Sequence, residues 1–69
     1  MSRLPSSQKV ADILIKKGFM FVSQRGSHQK YTNGKLIVIL PAPRKEIPIG
    51  TLKSICRQAG IELNEMLNK

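Results

Sequence analysis

Ser27-His28-Gln29-Lys30-Tyr31-Thr32-Asn33-Gly34-Lys35-Leu36-Ile37-Val38-Ile39-Leu40 decides the fold of this chain. Asn-Gly between two extended runs is the strongest short-range hairpin signal, because both residues tolerate the backbone angles that a tight reversal needs. The run that follows, Lys35 to Leu40, contains the most apolar stretch of the sequence and must be buried on at least one face. Pro41 and Pro43 close it.

Working outward toward the N-terminus, Gly26 breaks an earlier extended run. Phe19 and Phe21 alternate there with Met20 and Val22, ahead of Ser23-Gln24-Arg25. Phe19 and Phe21 read as core residues rather than as a platform for stacked bases, since aromatics are few and these sit where packing needs them. Three consecutive extended runs joined by short turns make an antiparallel meander.

Helical spacing lies on both sides of it. Val10, Ile13 and Leu14 follow the N-cap candidates Ser6 and Ser7, with Ala11 and Ile15 widening the apolar stripe. Lys9, Asp12 and Lys16 fall on the opposite side, Asp12 and Lys16 one turn apart in the favourable order. Gly18 supplies a left-handed stop. Beyond the prolines, Arg44 to Gly50 reads as an ordered loop. Thr51 is placed to cap a helix whose stripe is Leu52, Ile55, Cys56 and Ala59, and Gly60 ends it. Ile61 and Leu63 lead to a terminal turn in which Asn64 is placed to cap Glu65-Met66-Leu67.

The expected fold is therefore α+β, in the order α-β-β-β-α. Two amphipathic helices bury their stripes side by side on one face of a three-stranded antiparallel sheet, leaving the other face open to solvent or a ligand. Residues 1–69 form a single domain, because a chain of 69 residues can build only one core.

Composition narrows the function. Twelve Lys plus Arg against four Asp plus Glu give a formal charge of +8, and the sequence pI is near 10.3. A field of that size on a small body favours a polyanion: nucleic acid, an anionic membrane or an acidic partner protein. The lone Cys56 permits no intrachain disulfide and the lone His28 no multi-histidine metal site, so neither a metal nor another cofactor is expected. Neither an h-region nor an apolar run of membrane-spanning length is present. The expectation is a protein of the reducing cytoplasm.

His28 is the chemically distinctive residue, since imidazole alone among unperturbed side chains gains and loses protons near neutral pH. Alternation along Ser27 to Thr32 puts His28, Lys30 and Thr32 on one face and Ser27, Gln29 and Tyr31 on the other. Tyr31 belongs with the helices, which sends His28 and Lys30 to the open face near Arg25. An imidazole among cations suits phosphodiester chemistry on RNA, where the ribose 2′-hydroxyl is a built-in nucleophile. A surface histidine with a purely local hydrogen bond has the same pattern, and both readings stand at this level. Lys53 and Arg57 lie on the exposed side of the second helix, where they serve either phosphate contacts or solvation. Cys56 falls on the apolar stripe and reads as a buried structural thiol.

Several of these residues together resemble a known family. Gly18-Phe19, then Gln24-Arg25-Gly26-Ser27-His28 with Tyr31, and Lys45-Glu46-Ile47-Pro48-Ile49-Gly50-Thr51-Leu52-Lys53-Ser54-Ile55 with Gln58-Ala59-Gly60 look like a HicA-type toxin of bacterial and archaeal toxin–antitoxin systems. The resemblance implies a double-stranded-RNA-binding-like fold and an mRNA interferase that stalls translation, with His28 of Gly-Ser-His as the catalytic residue. It also implies a HicB-type antitoxin that covers the site, an association that the positive charge favours. Arg25, Ser27, Lys30, Arg44, Lys45 and Lys53 form the expected RNA-binding set. Many family members carry a second histidine after the third strand, where this chain has Ala42-Pro43-Arg44, so Arg44 or Lys45 would have to stabilise charge in its place. A non-catalytic basic module that binds structured RNA is the rival reading.

Overall fold

The computed structural model describes residues 4–67; the ends of the expected 1–69 domain, residues 1–3 and 68–69, lie outside them. Helix α1 (Ser7–Lys16) leads into strands β1 (Met20–Arg25), β2 (His28–Thr32) and β3 (Ile37–Pro41), followed by α2 (Ile49–Ala59) and a short α3 (Leu63–Leu67). The strands form one antiparallel sheet in the order β1-β2-β3. This is the α-β-β-β-α arrangement of the double-stranded-RNA-binding-like fold, extended by one C-terminal turn of helix.

Ser6 caps α1 by accepting the Lys9 N–H (3.1 Å), while Ser7 is its first helical residue and is buried. The Ser7 hydroxyl donates to the Arg44 carbonyl and accepts the Arg44 N–H (2.9 Å), and its own N–H donates to the same carbonyl (3.0 Å). The Ile47 N–H reaches the Pro5 carbonyl (2.8 Å), so the loop after β3 is fastened to the start of α1. Ile47 is fully buried, which supplies the apolar anchor that an ordered loop requires.

The hairpin between β2 and β3 is where Asn33-Gly34 places it, with the reversal shifted by one residue. Asn33 pairs with Leu36 (3.3 Å), so Gly34 and Lys35 are the two turn residues. Gly34 takes the positive φ of +96°, and the Asn33 side chain accepts the Lys35 and Leu36 N–H groups at 2.9 and 2.7 Å. Val38 and Leu40 then face the helices while Ile37 and Ile39 face outward.

One core lies between the sheet and the helices. It joins Val10, Leu14, Phe19, Tyr31, Val38, Leu40, Ile47, Leu52, Ile55 and Met66. Leu52, Ile55, Cys56 and Ala59 form the buried stripe of α2, as their spacing requires, and Gly60 closes the helix at φ +70°. No helix among the described residues is long and apolar enough to cross a membrane.

Five local expectations are corrected. Phe21 is not a core residue: it is 51% exposed, because β1 is an outer strand that the helices do not cover. It makes an edge-on contact with the Tyr31 ring, at 5.7 Å and 76°. Ile15 is likewise exposed, since the α1 stripe that meets the sheet is the narrower set Val10, Ala11 and Leu14. Asp12 accepts from the Gln8 amide (3.0 Å) instead of pairing with Lys16. Thr51 does not cap α2: the helix starts at Ile49, where Pro48 sets the entry angle and its carbonyl accepts the Leu52 N–H (2.8 Å). Asn64 does not cap α3 either; that role falls to the Glu65 carboxylate, which reaches back to the Glu62 N–H (3.2 Å).

Glu65 also pairs with Lys17 across the molecule. That bond, followed by the Glu62 N–H, lowers the pKa of its carboxyl. Cys56 is buried, and desolvation followed by the nearby Glu65 charge pushes its thiol up. The thiolate is the reactive form, so Cys56 is expected to react slowly with a disulfide reagent in the folded protein and rapidly once guanidinium unfolds it. Equal rates in the two states would place the thiol outside the core.

The outer edge of β3 has one polar contact from the helical layer. The Gln58 side-chain oxygen accepts the Ile39 N–H (3.0 Å), and the Gln58 amide donates to the Ser54 hydroxyl (3.3 Å).

Candidate functional site

The open face of the sheet is organised in three rows set by register. Arg25, His28 and Pro41 are one row; Ser23, Lys30 and Ile39 the next; Met20, Thr32 and Ile37 the third. Residues directly opposite in an antiparallel pair share a face, so Arg25 sits beside His28 and Ser23 beside Lys30.

A bulge makes this arrangement possible. Phe21 pairs with Tyr31 and Ser23 with Lys30, which leaves Val22 as an extra residue without a partner. Strict alternation from Phe21 would send Ser23 and Arg25 to the helix face. Because Val22 is absorbed by the bulge, both arrive on the open face with His28.

Ser23, Arg25, His28, Lys30 and Ile39 line a hollow of about 320 Å³. Its chemistry is one imidazole, one guanidinium, one ammonium and one hydroxyl against an aliphatic wall. Among the described residues, no carboxylate lines it. Among the described residues no group of three His, Cys, Asp or Glu is placed to hold a metal ion. The site offers proton transfer next to two fixed positive charges, which suits a substrate that is anionic at its reacting centre.

The turn that carries His28 is braced from behind. Gly26 takes φ +59°, which suits the residue without a side chain. The Gln24 amide donates to the Gly26 carbonyl (2.9 Å), the Gln29 amide to the Gln24 side-chain oxygen (3.3 Å), and the Tyr31 hydroxyl to the Gln29 side-chain oxygen (2.9 Å). This relay runs along the helix face, under the row of Arg25 and His28. Burial, followed by the Asp12 charge, raises the pKa of the Tyr31 phenol and keeps it a hydrogen-bond donor. Gln24 and Gln29 were not singled out by the sequence as site residues; the available signal was two amides bracketing Gly-Ser-His.

The remaining members of the expected RNA-binding set are dispersed. Ser27 lies in the turn, where its carbonyl accepts the Ala42 N–H (2.8 Å) and ties the turn to the chain after β3. Arg44 and Lys45 line a separate depression with Ser7, Gln8 and Pro43. Lys53 is exposed on α2, in the helical layer on the far side of the sheet. The structure thus brings Arg25 and Lys30 to His28 and leaves Arg44, Lys45 and Lys53 elsewhere.

Comparison with curated proteins gives no match. The family profile described as the HicA toxin of bacterial toxin–antitoxin systems matches residues 7–61, from the start of α1 to just past α2. Fold, Gly-Ser-His turn and profile agree, and the chain belongs to the HicA toxin family, whose members are one half of a toxin–antitoxin pair.

Proposed function

We propose that this toxin is a metal-independent endoribonuclease that cuts mRNA and so blocks translation in the cytoplasm, with His28 as its acid–base group and a HicB-type protein as its antitoxin. The observation that carries the reading is the hollow in which the imidazole of His28 meets Arg25 and Lys30 with no carboxylate among the lining residues. In the proposed step His28 removes the proton of a ribose 2′-hydroxyl, and the oxygen attacks the adjacent phosphorus. The bond from phosphorus to the 5′-oxygen breaks, and that oxygen takes a proton from the Lys30 ammonium or from water. Arg25 and Lys30 neutralise the charge that builds on the non-bridging oxygens. Arg44 and Lys45, being outside the hollow, are left to hold flanking RNA. The +8 charge supports both a polyanionic substrate and rapid capture by an acidic partner.

This chemistry fixes the products. Cleavage of a defined mRNA in EDTA is expected to leave 2′,3′-cyclic phosphate and 5′-hydroxyl ends. Ends carrying 5′-phosphate and 3′-hydroxyl, or a strict need for magnesium, would overturn it, and binding without cleavage would identify a non-catalytic RNA-binding module instead.

A further inference from the structure

A second recess lies on the helix side of the sheet, behind the Gly26-Ser27 turn. It has a volume of about 340 Å³, and its polar lining comes from Gln8, Gln24, Gln29 and Tyr31, with Ala11, Ile15 and Pro43 as apolar walls. It shares Ser7, Gln8 and Pro43 with the depression that carries Arg44 and Lys45, so the two form one continuous groove.

Three features of this groove point to one ligand class. The amides of Gln24 and Gln29 are held in place by the relay, yet each spends only one N–H and one lone pair in it. A carboxamide offers two donors and two acceptor positions, so each keeps one donor and one acceptor free, the pattern that pairs with the edge of a nucleobase. Gln8 likewise keeps one N–H and its carbonyl oxygen after bonding Asp12. Charge is also placed unevenly along the groove: Arg44 and Lys45 line one part of it, while the part lined by Gln24, Gln29 and Tyr31 carries no cation. Cations at one end and neutral amides at the other orient a nucleotide with its phosphate on Arg44 and Lys45 and its base among the amides. The backbone of Arg44 is locked to Ser7 by three hydrogen bonds, so the basic end starts from a fixed position.

We propose that this groove is a nucleotide subsite that reads one unpaired base of the RNA flanking the cut, Gln8, Gln24 and Gln29 contacting the base and Arg44 and Lys45 its phosphate. The proposal rests on the ribonuclease reading and extends it: the RNA passes from the His28 hollow around the Gly26-Ser27 turn to the opposite side of the sheet. Selectivity for the cut site then comes from a place that does no chemistry.

The test is a titration of ¹⁵N-labelled protein with a mixed-sequence 2′-O-methyl RNA hexanucleotide, whose blocked hydroxyl cannot act as nucleophile. The side-chain amide signals of Gln8, Gln24 and Gln29 are expected to shift saturably. Affinity is expected to fall about tenfold in Gln8→Ala combined with Arg44→Ala, roughly the effect of losing one good base contact. Gln8 and Arg44 are both exposed at their side chains, so a folded double variant is expected, and its amide spectrum verifies this directly. Shifts confined to Ser23, Arg25 and Lys30, or no shift at all, overturn the subsite. Cleavage of unmodified RNA is scored in parallel: cutting with unmoved glutamine amides is failure of the subsite alone, whereas moved amides without cutting is failure of the ribonuclease reading alone.

Discussion

His28→Ala is expected to lower the rate of RNA cleavage by about 10²–10⁴-fold, the range that a positioned acid–base group contributes. Binding to the same RNA should change far less, because Arg25 and Lys30 remain in the hollow and the net positive charge of the chain is untouched. The side chain is exposed and contributes nothing to the core, so the variant should fold as the parent does. The measurement is the single-turnover cleavage rate in EDTA beside a binding isotherm on a 2′-O-methyl copy of the same RNA. A variant that cuts at the parental rate would remove His28 from the chemistry. One that loses affinity and rate in equal proportion would make His28 a binding contact and nothing more.

Leu40→Ala carries the largest expected cost to the fold, and its neighbour provides the control. Leu40 is fully buried at the centre of the helix-covered face, opposite Gln29. Truncating such a leucine costs about 3 kcal/mol, set against a total stability on the order of 5 kcal/mol for a domain this small. The melting temperature should drop by roughly 12–24 °C. Ile39 is 39% exposed and faces the other way, so Ile39→Ala should cost less than about 1 kcal/mol. Thermal unfolding followed by circular dichroism decides it, and similar losses in the two variants would mean that both faces of β3 are covered in solution.

Much of this molecule is legible in its sequence, for reasons that can be named residue by residue. Asn33-Gly34 gave the hairpin because turn chemistry is local, and the α2 stripe appeared because Leu52, Ile55, Cys56 and Ala59 share one side of a helix by spacing alone. His28 and Lys30 fell on the open face because Tyr31, next in the chain after Lys30, had to be covered by the helices. The bulge was not legible: Val22 looks like any other strand residue, and only the partner strand reveals that it is surplus. For the same reason Phe21 resembled a core residue until the edge position of its strand was known. Arg44 and Lys45 lie close in sequence to the end of β3, yet the loop turns back to the start of α1 and carries them away from His28. The relay through Gln24 and Gln29 joins two strands across a turn, and a one-dimensional pattern has no mark for such a contact. Sequence thus placed His28 on the open face, while which cations stand beside it depended on register.

The Gln58 contact to β3 bears on how the protein behaves in a crowd. Ile37-Val38-Ile39-Leu40 is uncharged, rich in β-branched residues and located on an edge strand, the profile of a segment that recruits further chains into fibrils. Its outward backbone donors are few. The one at Ile39 is already taken by the Gln58 side chain, and Pro41, two residues on, has none to give. An incoming strand would have to displace a helix side chain at one position and forgo a bond at the next. A single glutamine on α2 therefore acts as a stopper that holds the sheet at three strands and keeps its most adhesive segment from templating growth.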